Sequence, residues 1–162
     1  RRHGGDGGDP LLASLNLEVS QNADPAGRLV IRGNTMLIAD TLNHAVRIVD
    51  LEANTIDTLI GYGGTRDQGT APEETGLYWP RDVAFGPDGE VFVADTQHNC
   101  IRRLKDGVVD TVLGICGETG YDDRNGPATE MLLDQPVGLD VGPDGTLWVA
   151  DTWNHRIIRV EL

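Results

Sequence analysis

The residues of this chain best suited to chemistry are aspartate, threonine, asparagine and histidine side chains that recur as a set three times. Carboxylate and imidazole groups bind metal ions, and they also serve as general acids and bases. The aspartates that begin the three copies, at positions 40, 95 and 151, lie 55 and 56 residues apart. The full set comprises Asp40, Thr41, Asn43, His44, Asp95, Thr96, His98, Asn99, Asp151, Thr152, Asn154 and His155.

Repetition favours a structural role for this set over a catalytic one, because residues that every repeat carries meet a need that every repeat has. Aspartate and threonine satisfy the amides of turns, and histidine can hydrogen-bond between neighbouring strands. Outside the set only His3 remains among the four histidines, and the chain lacks Gly-x-Ser-x-Gly, His-Glu-x-x-His and a phosphate-binding loop. We therefore predict no catalytic residue, no metal site, no cofactor and no enzymatic activity in this chain alone.

Two acidic segments keep calcium open as an alternative. Asp122, Asp123 and Asp134 could hold one ion, although a solvated loop is the simpler interpretation. The stretch from Gly4 to Asp9 combines glycine and aspartate like a calcium-binding nonapeptide, but it lacks the repetition of that motif. We interpret this stretch as a flexible linker.

Each copy of the set lies between short apolar runs that have the length of β-strands. In the second unit we predict strands at 81–85, 90–94, 100–104 and 108–113, joined by a Gly-Pro-Asp-Gly turn and an Asp-Gly hairpin. Four antiparallel strands in sequence form one blade of a β-propeller. The third unit ends after its third strand, so the sequence predicts an all-β chain of about three four-stranded blades, the last without its outer strand.

The predicted blades form a single domain and are separated by glycine-rich connections. These connections, at 61–79 and 114–135, exceed ordinary loop lengths, and they could either bind a ligand or cap the propeller. Residues 3–17 resemble a third connection. The predicted parts are the N-terminal segment and connection at 1–28, blade 1 at 29–61, blade 2 at 80–114 and the incomplete blade 3 at 136–162.

The repeated units resemble those of the NHL-repeat family. The third unit matches almost throughout, with Pro136-Val137-Gly138-Leu139, then Asp144-Gly145, then Leu147 to Ile157. The second unit matches with asparagine and histidine exchanged, as His98-Asn99, and the first matches from Ala39 to Val46. The resemblance implies a β-propeller, most often of six blades, so that this chain would form half of a ring.

The resemblance leaves two functions open. Fold does not fix function, and we favour a non-enzymatic binding or scaffold module. The alternative is a fragment of a propeller enzyme, either a metal-dependent lyase or a lactonase-like hydrolase, since relatives of these kinds share the fold.

Half a ring would expose two apolar blade faces, which would weaken a chain of this size. We therefore expect a homodimer, in which two copies associate head to tail and close a six-bladed ring around a two-fold axis. The N-terminal segment of one copy would then lie near the incomplete blade of the other and could supply its missing strand. A chain excised from a longer propeller is the alternative.

A binding surface is predicted on the rim that carries the turn between the second and third strands of each blade. Each copy of the repeated set has the pattern Asp-Thr-x-Asn-His, or Asp-Thr-x-His-Asn in the second unit, and we call this pattern the signature. The variable residue x lies on this rim, next to the end of the preceding connection. Exposed aromatic residues beside an arginine are typical of interaction hot spots, whereas Trp148 is predicted to lie in the core. The candidate residues for a protein or small-ligand partner are Leu42, Tyr78, Trp79, Arg81, Gln97 and Trp153.

Bulk composition limits the other partners. The formal net charge of −13 repels a nucleic-acid backbone, and no run of 18 apolar residues exists to cross a membrane. The N-terminal residues resemble a cut within a longer protein rather than a signal peptide, so the compartment stays open and the parent protein could be secreted. A bridge between Cys100 and Cys116 is conceivable on neighbouring strands, but we favour two free thiols.

Overall fold

The three predicted blades are present as three antiparallel sheets in a computed structural model, which describes residues 4–17, 27–61, 70–122 and 126–162. Blade 1 contains β1 (Leu29–Arg32), β2 (Thr35–Asp40), β3 (Ala45–Asp50) and β4 (Thr55–Ile60). Blade 2 contains β5 (Pro80–Phe85), β6 (Val91–Asp95), β7 (Cys100–Lys105) and β8 (Val108–Leu113). Blade 3 has only β9 (Pro136–Val141), β10 (Leu147–Asp151) and β11 (Arg156–Val160), so the predicted absence of its outer strand is confirmed.

The strands of each blade pair in sequence order, and the three sheets do not close into a ring. The closest approach between neighbouring blades involves the first strand of the following blade, since β5 lies against β1 and β2 and β9 lies against β5 and β6. The strands β1, β5 and β9 therefore form the inner side of the arc. A 3-10 helix replaces the simple turn predicted between the second and third strands of each blade. These helices are Thr41–Asn43, Thr96–His98 and Thr152–Asn154, and two more, Pro10–Leu12 and Ala128–Glu130, lie in the segments that precede blades 1 and 3.

The core lies between the blades, because successive residues of a strand point to opposite faces of its sheet. One cluster joins blade 1 to one face of blade 2, and a second cluster joins the other face of blade 2 to blade 3. The side chains of the first cluster include Leu37, Ala39, Val46, Val83, Val91 and Val93. Those of the second include Phe92, Ala94, Ile101, Leu139, Leu147, Val149 and Ile158.

The outer face of blade 3 has no neighbouring blade among the described residues, and this makes the prediction for Trp148 wrong. By strand register Trp148 corresponds to Leu37 and Phe92. Those two side chains are 0% and 2% exposed, whereas Trp148 is 46% exposed. Ile157 shows the same contrast with Ile101, at 66% against 0%. Trp148 therefore occupies a position that is core in the other two blades, on a face that no described residue of another blade covers.

The glycine-rich start of the chain is ordered, contrary to the flexible linker that we predicted. Gly8 forms a β-bridge with Ile56 on the outer strand β4, and Gly4 pairs with Ser14. Asp6 accepts hydrogen bonds from Arg47 and from the hydroxyl of Thr58 at 3.0 Å. The segment is thus tied to blade 1 by one buried cation and one strand edge.

Cys100 and Cys116 form a disulfide, so the prediction of two free thiols is wrong. Cys100 begins β7, and Cys116 lies in the connection that leads to blade 3. The connection turns back across β7, where the amide of Gly117 donates to the carbonyl of His98 at 2.7 Å. This path brings the two sulfur atoms together.

No helix in the described residues is long and apolar enough to cross a membrane.

Candidate functional site

The aspartate of each signature is fully buried and supports the backbone of its own blade. One carboxylate oxygen accepts the amide of a residue in the segment that leads into that blade. In this way Asp40 binds Asn16 at 2.8 Å, Asp95 binds Tyr78 at 2.7 Å, and Asp151 binds Asp134 at 2.8 Å.

The residue three positions after each aspartate binds the same carboxylate. Asn43 and Asn154 donate their amide hydrogens at 3.0 and 2.9 Å. In the second signature, where asparagine and histidine are exchanged, Nδ1 of His98 lies 2.8 Å from Asp95. The exchange therefore preserves a partner for the buried carboxylate.

An arginine balances the charge of each signature aspartate, and it is buried in blades 1 and 2 and partly buried in blade 3. These arginines were not among the predicted signature residues. Arg47 and Arg102 follow their aspartates by seven residues, with nitrogen–oxygen distances of 3.5 and 3.4 Å. Arg156 follows by five residues and approaches Asp151 at 2.7 Å. The shared spacing of the first two was the available signal. The third is displaced by two residues, which keeps it on the same face of the strand.

The threonine and the last residue of each signature reach forward to the next blade. The hydroxyls of Thr41 and Thr96 donate to the carbonyls of Pro80 and Pro136, each at 2.8 Å. The last signature residue adopts a left-handed conformation in all three copies, with φ values of 58°, 56° and 54° at His44, Asn99 and His155.

The side chain of this left-handed residue accepts the amide of the residue before the proline. Trp79 donates to Nδ1 of His44 at 3.3 Å, and Gln135 donates to Oδ1 of Asn99 at 2.9 Å. Trp79 and Gln135 also have positive φ values. Thr152 and His155 have no following blade among the described residues, and both side chains are exposed.

These contacts support a structural role for the signature residues. The described residues contain no group of three histidine, cysteine, aspartate or glutamate side chains arranged to hold a metal ion. Asp123, one of the three predicted calcium ligands, lies outside the described residues, while Asp134 uses its backbone amide to bind Asp151. The absence of a cofactor remains a prediction.

The rim residues of blades 1 and 2 form an aromatic group between the two blades. The ring of Tyr78 lies 5.5 Å from that of His44, 5.8 Å from that of His98 and 6.1 Å from that of Trp79. Tyr78 is 38% exposed, whereas Arg81 is only 4% exposed and lies below the ring of Trp79. The group thus presents aromatic surface, with the arginine beneath it.

The three variable signature residues share one position on this rim. Their amides donate to carbonyls of the preceding connection, with Leu42 bound to Asn16, Gln97 to Tyr78 and Trp153 to Asp134. The side chain of Gln97 also donates to that of Gln135 at 3.3 Å. Trp153 is 64% exposed, as we favoured. Only Gln97 is thereby joined to the aromatic group, while Leu42 and Trp153 occupy the same position on the neighbouring blades.

Two titratable groups at the blade junctions have shifted pKa values. Burial lowers the pKa of His44, the carboxylate of Asp95 opposes the shift, and the electrostatic interaction with His98 adds to it. Burial raises the pKa of Asp82 on the inner strand β5, although the amide of Leu139 and the guanidinium of Arg28 act in the other direction. Asp82 joins all three blades, because it accepts from Leu139 at 2.8 Å and pairs with Arg28 at 3.2 Å.

We expect His44 to make the fold less stable as the pH falls below 6.5, the usual pKa of histidine. Its lowered pKa in the folded state means that the unfolded chain binds the proton first, and protonation would end acceptance of the Trp79 amide. His44→Asn should remove this component, because Asn99 fills the same role in the next blade. Urea unfolding of both proteins between pH 8 and pH 5 measures the difference. Parallel curves for the two proteins would contradict the assignment.

Comparisons with known proteins agree with this architecture. The sequence-family model of the NHL repeat matches residues 77–104 and 133–159. The chain is 31% identical to NHL repeat-containing protein 2 of Bos taurus, across 83% of the chain and 22% of that protein. It is also 31% identical to Teneurin-m of Drosophila melanogaster, across 99% of the chain and 6% of that protein. The chain therefore spans about a fifth or less of these relatives.

Solved structures show the same fold at lower identity. A protein of unknown function from Bacteroides thetaiotaomicron superposes with a TM-score of 0.74 at 22% identity, covering 90% of this chain and 37% of that one. An auxiliary nutrient binding protein from the same organism gives a TM-score of 0.69 at 20% identity, covering 83% and 37%. At this level of identity the likeness concerns the fold alone.

Proposed function

We propose that this chain, which belongs to the NHL-repeat family, acts as a non-enzymatic propeller module. The module holds a partner on its rim and closes its ring with a second copy. The observation that carries the proposal is the use of the repeated polar residues. Each signature aspartate is buried against an arginine and a backbone amide. Groups held in this way stabilise a blade and are not available for proton transfer to a substrate.

The two end faces of the arc support self-association. On blade 1, Leu29 and Ile31 are 55% and 54% exposed, and on blade 3 Ile157 and Trp148 are similarly open. The corresponding side chains at the internal junctions are buried or, for the counterparts of Ile31, partly buried, so each end has the composition of half an interface. Three blades that each turn the chain by about a sixth of a circle would close with three more, because a two-fold axis then relates the copies without a gap.

The end face of blade 3 also carries the groups that fasten one blade to the next. Thr152 and His155 repeat the positions of Thr41 and His44, which bind the backbone at the start of blade 2. A second copy docked head to tail would bring the start of its own blade 1 to these two side chains.

The rim supports the binding role of the module. Tyr78, Trp79 and Trp153 combine apolar rings with polar edges, and such side chains provide much of the binding energy at protein and ligand interfaces. The rim of a closed ring would carry two copies of this surface. A protein or a small ligand with apolar and hydrogen-bonding groups fits its chemistry.

Light scattering over a range of concentrations tests the proposal. We expect a species of twice 17.5 kDa that dissociates on dilution. Ile157→Asp should give a monomer, because it places a charge in the buried centre of the junction, whereas Val108→Asp, at an exposed site on β8, should leave the mass unchanged. A wild-type mass of 17.5 kDa at every concentration up to about 100 μM would refute closure by two copies.

A further inference from the structure

A pocket of about 360 Å³ lies between blades 1 and 2, at the ends of the strands that are remote from the rim. The turns that border it join β1 to β2, β5 to β6 and β7 to β8, whereas the signatures join the second and third strands at the opposite end of each blade. Both blades that form the pocket have all four of their strands. The pocket therefore belongs to a complete internal junction and does not depend on blade 3.

The walls of the pocket are aliphatic, and both blades contribute to them. Their side chains come from the second to fourth strands of blade 1 and from the second and third strands of blade 2, namely Leu37, Ile48, Leu59, Val91 and Leu104. Leu37 and Val91 are buried, while the other three are half-buried where they face the space. An apolar space of this size with a few polar groups at its edge is typical of sites for small organic ligands.

The space at this junction follows from two side chains of blade 1. By strand register Leu37 and Ile48 correspond to Phe92 and Arg103, on the face of blade 2 that packs against blade 3. Larger side chains thus occupy the same positions at the next junction, where Phe92 is only 2% exposed. The smaller pair in blade 1 leaves room that the repeat does not otherwise provide.

A cation is held at the edge of this apolar space. The guanidinium of Arg32 lies 4.4 Å from the centre of the Phe85 ring and donates to the carbonyl of Gly86 at 2.5 Å. None of the ion pairs within the described residues includes Arg32, although the chain has 26 acidic residues. A guanidinium offers several donors in a planar fork, which suits a carboxylate.

The other charged groups at the pocket leave Arg32 as the group that selects the charge of a ligand. Nζ of Lys105 pairs with the carboxylate of Glu90 at 3.0 Å, so these two charges cancel. Asp88 and Asp106 are exposed, and water and salt screen their charges. The balance at the edge of the pocket therefore favours an anionic group at Arg32.

We infer that this pocket binds a small aliphatic carboxylic acid, whose hydrocarbon body lies between blades 1 and 2 and whose carboxylate pairs with Arg32. Stacking on Phe85 and the bond to Gly86 hold the guanidinium in place before the ligand arrives, so less side-chain freedom is lost on binding. The site is separate from the rim. It requires neither a rim partner nor ring closure.

Isothermal titration calorimetry of the complete chain with octanoate tests the inference. We expect saturable binding with a Kd of about 0.1–1 mM. Octanol has the same hydrocarbon chain without the charge, and it should bind about five- to tenfold more weakly. In NMR spectra octanoate should shift the methyl resonances of Leu37, Ile48 and Leu59, and leave those of the core between blades 2 and 3 unchanged.

Three variants make the test specific. Arg32→Gln, at an exposed site, should weaken octanoate binding about five- to tenfold and leave octanol binding unchanged. Ile48→Phe should abolish binding of both compounds, because the ring fills the space as Phe92 does at the next junction. Arg103→Gln is the matched control, since it removes the same charge from the other face of blade 2 and should change neither affinity. Circular dichroism checks that each variant is folded.

Several results would overturn the inference. These are no saturable binding of octanoate up to about 10 mM, equal affinity for octanoate and octanol, or equal losses in Arg32→Gln and Arg103→Gln. Resonance shifts confined to Tyr78 and Trp79 would place the ligand on the rim and refute the pocket. A monomeric protein that binds octanoate at the pocket methyl groups would support the inference and refute ring closure, so the two proposals fail separately.

Discussion

Replacing Asp95 with alanine is expected to lower the free energy of unfolding by about 3–5 kcal/mol, because it removes the carboxylate that balances a buried cation. The carboxylate is 0% exposed and lies 3.4 Å from Arg102, whose side chain is 6% exposed. It also accepts the amide of Tyr78 and contacts His98. The same substitution removes the support of the aromatic group on the rim. Urea denaturation, read by circular dichroism, measures the loss.

Two further variants make this prediction specific. Asp95→Asn keeps an acceptor for the Tyr78 amide but removes the charge, so it should have a smaller effect than alanine and remain foldable. Asp110→Ala removes a carboxylate whose side chain is 44% exposed and paired with Arg103. That change should cost less than about 1 kcal/mol. If Asp95→Ala and Asp110→Ala proved equally mild, the structural role of the signature aspartate would be wrong.

Opening the disulfide between Cys100 and Cys116 should cost about 3 kcal/mol, the value expected for a closed loop of this length. The two residues are 16 positions apart in the sequence. For a chain of this size the loss corresponds to a fall in Tm of roughly 6–12 °C. Thermal unfolding with and without reductant measures it, and Cys116→Ser should reproduce the reduced value.

Cys116→Ser is preferable to substitution of Cys100, because Cys100 is fully buried and a hydroxyl there would add its own penalty. Reductant should have no further effect on the Cys116→Ser protein. An unchanged Tm of the wild-type protein after complete reduction, checked by mass, would show that the connection is held to β7 by its other contacts alone.

The repeat made the blades predictable, because apolar alternation and turn residues are local properties of the sequence. Repetition likewise predicted a structural role for Asp40, Asp95 and Asp151, and their bonds to backbone amides support it. The arginine partners of these aspartates were missed, because Arg156 does not repeat the position shared by Arg47 and Arg102. Only the strand geometry shows that the three guanidinium groups reach the same place.

The other errors came from parts of the chain that the repeat does not determine. The disulfide depends on how the residues after β8 turn back across β7, which the blade repeat does not determine. Trp148 has the sequence context of a core residue, and it is exposed because no described residue of another blade covers that face of blade 3. The order of the segment from Gly4 to Asp9 depends on Arg47 and Thr58, about 40 or more residues away.

The contacts that fasten one blade to the next also bear on how such chains lengthen. Thr41 and Thr96 bind a carbonyl, and His44 and Asn99 bind an amide, so these four side chains recognise the main chain at the start of the blade that follows. For these bonds the receiving blade contributes a backbone conformation, a left-handed residue followed by proline. A newly duplicated unit can therefore form these hydrogen bonds with its neighbours at once. Side chains that take no part in them can change later without breaking the bonds between the blades.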